Sequence, residues 1–84
     1  VLLRFADAIF IEENTVHIVE TKIQPSADAI GQLLLYEKLF PQTPEFSAYK
    51  DFPIKKIMLT TRTDEDLNKL AAENGITVVV YNII

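Results

Sequence analysis

Hydrophobic and polar positions divide the chain into six short segments. Residues 2 to 11 (LLRFADAIFI) are an apolar run broken by Arg4 and Asp7, which predicts a strand, and Glu12 to Thr15 are polar and turn-like. Residues 16 to 23 (VHIVETKI) are rich in β-branched types and predict a second strand. So short a link makes the two an antiparallel hairpin. Pro25 and Ser26 end the strand and offer a helix cap, and residues 27 to 40 read as a helix with Ile30, Leu33, Leu34 and Phe40 among its apolar positions. Asp28, Gln32, Glu37 and Lys38 are its clearly polar members, so this helix is either covered on two sides or used as an interface. Residues 41 to 53 hold three prolines and predict an irregular crossover. Ile54 to Thr60 is a third strand. Thr63 is the expected cap of a second helix, with Asp66 at its third position, running to about Asn74 before Gly75 ends it. Ile76 to Tyr81 closes the pattern as a fourth strand. The order β-β-α-β-α-β predicts an α/β fold with a mixed four-stranded sheet, its last two strands parallel through the second helix.

Size limits what such a pattern can build. At 84 residues the chain makes one domain, residues 1 to 84, with a single modest core. It begins without methionine, which leads us to expect part of a longer protein. No run approaches a membrane span and no basic lead precedes an apolar stretch, so neither an anchor nor a secretory signal is expected. The absence of cysteine excludes disulfides, thiol nucleophiles and thiolate metal sites, and fits an intracellular, cytoplasmic protein. Eight basic residues against twelve acidic ones leave a formal charge of −4, which argues against passive binding to nucleic acid. It leaves room for an enzyme whose carboxylates are neutralised by a divalent ion.

Carboxylate positions carry the chemical signal. If Glu13-Asn14 is a two-residue turn, Glu12 opposes Thr15, and stepping outward brings Asp7 opposite Glu20 and Phe5 opposite Lys22. Directly opposed side chains have Cβ atoms roughly 4.5 to 5.5 Å apart. Two carboxylates so placed raise one another's proton affinity or recruit a cation, and Ala6, Ala8, Ile9, Val19 and Ile23 surround them with apolar groups. Strand alternation puts Lys22 on the face of Glu20. Mg²⁺, which takes one or two protein carboxylates and accepts phosphate oxygens, suits the acids, and the ammonium suits charge on a phosphoryl group.

Asp7, a short hairpin, Glu20-Thr21-Lys22 and then a helix with Gln32 and Tyr36 resemble the PD-(D/E)XK nuclease superfamily, nearest in motif to its RecB-like and Holliday-junction-resolvase-like members. The resemblance implies a restriction-endonuclease-like core that cuts DNA with Mg²⁺, or Mn²⁺ in its place. It implies Asp7 and Glu20 as metal ligands, the Thr21 carbonyl completing the coordination, and Lys22 as the catalytic lysine. Gln32 and Tyr36 resemble the Q-x-x-x-Y signature, and their spacing puts them on one helical face beside that site. Ala6 stands where the motif name has proline, and the helix that usually opens these folds is not in this sequence, so either it lies upstream of Val1 or the core is trimmed to a minimum. A sheet trimmed in that way leaves apolar surface exposed, so a homodimer or larger assembly is expected, with Leu35 or Leu39 free for the partner.

The other candidates read more plainly. His17 falls on the face opposite Glu20 and has no second histidine to help it hold a metal. Arg4 has the wrong parity for the metal but is open to a phosphate at the edge. Lys55, Lys56 and Arg62 are either a solvated strand end or a phosphate-contacting rim. Tyr49 and Phe52 fit packing better than base stacking. Three functions remain open: a metal-dependent nuclease, a nuclease-fold module that docks or assembles without cutting, and an unrelated small α/β domain.

Overall fold

A computed structural model describes residues 6 to 81. Strand β1 (Ala8–Glu12) and strand β2 (Thr15–Lys22) form the expected hairpin, in register from Glu12 opposite Thr15 to Ala8 opposite Val19. The turn between them is Glu13-Asn14, with φ of 53° and 58°. Two consecutive left-handed residues are the type I′ geometry that matches the twist of a hairpin. The ladder closes at Ala8, so Ala6 and Asp7 form a bend before β1 rather than the middle of a longer strand. The remainder of the predicted 2 to 11 strand lies outside the described residues.

Ser26 caps helix α1 (Ala27–Leu39), its hydroxyl accepting from the Asp28 amide at 3.1 Å. The proline-rich crossover is ordered into two 3₁₀ segments, Phe40–Gln42 and Pro44–Tyr49, before strand β3 (Ile54–Thr60). Helix α2 (Glu65–Glu73) begins one residue later than expected. Its cap is Asp64, which accepts from the Leu67 amide at 3.0 Å, not Thr63. Gly75, with φ of 69°, ends α2 in the left-handed conformation that glycine adopts without penalty, and strand β4 (Ile76–Val80) follows.

The sheet order is β1-β2-β3-β4, with β1 antiparallel to β2 and the other three strands parallel. Both crossovers step the same way along the sheet, so right-handed connections put both helices on one face. Val16 and Ile18 of β2 and Met58 of β3 point to that face and pack with Ala29, Ile30, Leu33, Tyr36 and Phe40 of the first crossover and Ala71 of α2. The opposite face, carrying Phe10, Val19, Ile57, Leu59 and Val79, has no helix over it among the described residues, and Phe10 and Val79 are exposed.

Lys56 departs from the surface role read for it. It points to the helical face, is only 6% exposed, and donates to Glu37 Oε1 at 2.8 Å and to the Asn74 carbonyl at 3.0 Å. One ammonium therefore joins α1 to the C-terminus of α2, where its charge also complements the helix dipole. Lys56→Ala leaves the Asn74 carbonyl without this donor. It should cost about 1 to 3 kcal/mol of stability in urea unfolding, whereas Lys55→Ala on the exposed neighbour should change it by less than ~0.5 kcal/mol.

Candidate active site

All three parallel strands end at one edge of the sheet, where the first residues of both helices also lie. In open α/β sheets the crevice beyond the carboxyl ends of the strands is where ligands bind. Alternation along β2 sends Val16, Ile18, Glu20 and Lys22 to the helical face, so the two charges follow directly after two core residues. The end of β2 is clamped to β3. The Ile23 carbonyl accepts from Thr60 Oγ1 at 3.2 Å, Thr61 N at 3.2 Å and Thr61 Oγ1 at 2.6 Å. Lys22 is thereby held at the lip of the crevice.

Asp7 reaches the same place from the bend before β1. Its Oδ2 accepts from the Thr21 amide at 2.7 Å and from Thr21 Oγ1 at 2.6 Å. Those two bonds, with the nearby Lys22 ammonium, hold its carboxyl below the usual aspartate value against a small opposing effect of burial. The Thr21 amide and hydroxyl both thus serve the Asp7 edge of β2.

Glu20 is in the opposite condition. It is 5% exposed, and its Oε1 is buried without a hydrogen-bond partner. Burial first, then the Asp7 charge, push its carboxyl above the usual glutamate value, while Lys22 and the Asp7 amide pull the other way. Tyr36, one face of α1 away, is buried over the same spot, and its phenol is raised by burial and by the charges of Glu20 and Asp7. Gln32, one turn earlier on α1, also carries a buried and unpartnered Oε1. The structure thus gathers Asp7, Glu20, Thr21, Lys22, Gln32 and Tyr36 at the strand ends.

A cleft of about 480 Å³ opens beside this cluster, lined by Lys22, Ala27, Asp28, Gly31, Gln32 and Leu35. Ala27, Asp28, Gly31 and Leu35 are additions that periodicity did not single out as site residues. The glycine is the one signal that was available, because inside a helix it costs about 1 kcal/mol relative to alanine. His17 lies away from the cluster, on the bare sheet face, its ring stacked on Phe10 with centroids 4.4 Å apart. Lys55 shares that face, opposite His17 in the register.

Asp7 and Glu20 are the carboxylates at this point, and no group of three acidic or histidine side chains able to hold a metal occurs among the described residues. Two carboxylates fit Mg²⁺, which keeps several waters and needs few protein ligands. The unpartnered Oε1 of Glu20 and the Oδ1 of Asp7, which has no hydrogen-bond partner among the described residues, are the atoms such an ion would take. No family model, curated protein or solved structure matches this chain.

Because the Glu20 carboxyl is raised in the folded state, the folded protein binds more protons than the unfolded chain. Stability from this group is therefore fully present below the ordinary glutamate value and is lost as pH rises through the raised one. Asp7 has the opposite sign, its contribution being lost as pH falls through the lowered value. Glu20→Gln should accordingly be more stable than the parent in urea at pH 7, and the difference should close toward pH 4. Asp7→Asn should be less stable than the parent at pH 7, because it weakens the acceptor of the Thr21 bonds.

Proposed function

We propose that this domain is a metal-dependent nuclease of the PD-(D/E)XK type that hydrolyses DNA phosphodiester bonds. The observation that carries the reading is the buried, unpartnered carboxylate oxygen of Glu20 beside the Asp7 carboxylate. A carboxylate buried beside another with one oxygen unpartnered is costly for stability, and Lys22 and the Asp7 amide offset only part of that cost. Charge complementarity with a cation, and through it with a phosphate, accounts for both.

In this reading Asp7 and Glu20, with the Thr21 carbonyl, hold Mg²⁺, and Mn²⁺ can replace it. The bound ion supplies positive charge to the phosphate oxygens and lowers the pKa of the attacking water. Thr21 keeps Asp7 oriented through its two hydrogen bonds. Lys22, held at the lip by the Ile23 clamp, places its ammonium where negative charge grows on the phosphoryl oxygens. Water oxygen bonds to phosphorus, the bond from phosphorus to the leaving sugar oxygen breaks, one proton leaves the water and one is taken up by the leaving oxygen. Gln32 and Tyr36 cover the cluster from α1 and position the substrate or the ligands.

A second reading, a nuclease-fold module that docks nucleic acid without cutting, is favoured by the closed Asp7–Thr21 contact. One oxygen of Asp7 is already doubly bonded, and a site that binds no ion gains from keeping it so. Self-association belongs to the proposal under either reading. Leu35 is exposed as expected, but it lines the cleft, so the bare sheet face with Phe10, Val79 and Tyr81 is the larger apolar surface for a second copy.

Cleavage of linear, nicked and four-way-junction DNA should require Mg²⁺ or Mn²⁺ and disappear with EDTA. Lys22→Ala should lower turnover by roughly 10²-fold or more while leaving metal-dependent thermal stabilisation in place. Asp7→Asn should remove both, and His17→Ala neither. Turnover that is independent of metal or unaltered in Lys22→Ala refutes the mechanism, and no turnover together with no stabilisation by Mg²⁺ selects the docking module. Sedimentation across the micromolar range should show a dimer that Phe10→Glu converts to monomer; a monomer throughout refutes the assembly.

A further inference from the structure

We infer that the cleft over Gly31 is a subsite for one unstacked nucleoside of a single-stranded substrate, placed next to the phosphate held by the Asp7, Glu20 and Lys22 cluster. The inference rests on the nuclease-type reading of that cluster and adds what lies beside it. Gly31 is the starting point. It occupies the interior of α1, where glycine weakens the helix, yet its φ is not in the left-handed region and a Cβ built on it would meet nothing within 4 Å. Neither backbone geometry nor packing within the fold calls for glycine there. What a side chain at this position would occupy is the floor of the cleft. Close approach of a ligand to the helix backbone is the remaining use of a missing Cβ.

The lining decides the ligand. Leu35, 43% exposed, and Ala27 join the bare Gly31 backbone as an apolar surface. Lys22, shared with the catalytic cluster, is the single cation of the lining, and Asp28 is its single anion. A phosphate is welcome at the Lys22 end and repelled at the Asp28 end, so the group over Gly31 is the uncharged part of a nucleotide. Asp28 accepts from an amino or hydroxyl group of such a ligand. The cleft is open to solvent and its lining runs over about two turns of α1, a footprint for one small group rather than for a tracked duplex. Unstacking a base from a duplex carries a penalty that a single strand or a frayed end does not bear. Hence the single-stranded substrate.

The test is a fluorescence-anisotropy titration with Ca²⁺ in place of Mg²⁺, an oxygen-ligated cation that can hold the phosphate but is a weaker Lewis acid, using a labelled 12-nucleotide single strand and its duplex. The parent protein should prefer the single strand. Gly31→Leu should weaken that binding by 10-fold or more and change duplex binding by less than 2-fold. Its melting temperature should hold or rise by a few degrees, because a helix interior gains from losing glycine. Leu35→Ala, at an exposed position, should weaken single-strand binding by about 3-fold or more, as expected from a lost stacking or apolar contact. No single-strand binding by the parent overturns the inference, as does unchanged binding in Gly31→Leu or a fall in its melting temperature. Metal-dependent turnover that survives in Gly31→Leu with unchanged KM removes the subsite and leaves the nuclease reading standing. Loss of single-strand binding in Gly31→Leu with no turnover by the parent does the reverse.

Discussion

Side chains of the β1–β2 hairpin are assigned to a face by its register, and that register depends on two residues held at positive φ. Glu13 and Asn14 close the turn in the I′ geometry, which pairs Glu12 with Thr15 and every position outward from them. A one-residue slip of β2 would carry Val16 and Ile18 out of the core and take Glu20 and Lys22 with them. Core and candidate site are therefore set by the same local event. The parallel pairing of β2 with β3 then transmits it, placing Met58 beside Glu20 and Thr60 beside Lys22.

Two carboxylates at one strand end pose an electrostatic problem that the fold resolves unevenly. Asp7 is given donors, the Thr21 amide and hydroxyl, and its charge is favoured. Glu20 is given burial and a like charge, and its charge is disfavoured. Lys22 is near enough to act on both. Such an arrangement is costly for stability, which makes this strand end a functional-site candidate. The cost is offset elsewhere on the same face. Lys56 binds α1 to the end of α2 through a buried ammonium with two partners, and the Ile23 carbonyl gathers one donor from Thr60 of β3 and two from Thr61 just beyond it.

The one-sided covering of the sheet has a topological cause. Two right-handed crossovers that step in the same direction cannot place their helices on opposite faces. The helical face consequently receives the core, the cleft and the charged cluster, while among the described residues the other face keeps only strand side chains. His17 stacked on Phe10 is how that face satisfies part of its apolar surface locally. The result is a domain with its candidate site on one side and exposed strand side chains on the other.

Local rules were sufficient where neighbours in the chain are neighbours in space. The Glu13-Asn14 turn, the Ser26 cap, the Gly75 stop and the limits of β3 were all legible, because each is decided by residues within one turn. Strand parity then separated His17 from Glu20 and grouped Glu20 with Lys22. Tertiary structure decided the rest. Asp7 sits in a bend and turns its carboxylate onto Thr21, since the hairpin ladder closes one pair earlier than alternation alone implies. Thr63 yields the α2 cap to Asp64, an equally good acceptor one residue on. Lys56 looks like a surface cation in a polar pair with Lys55, and only the docking of α1 and α2 supplies the carboxylate and carbonyl that let it be buried. The cleft over Gly31 was written in the sequence merely as a glycine in a helix. That no side chain fills the space above it follows from how α1 lies on the sheet, a packing angle that periodicity along one helix does not encode.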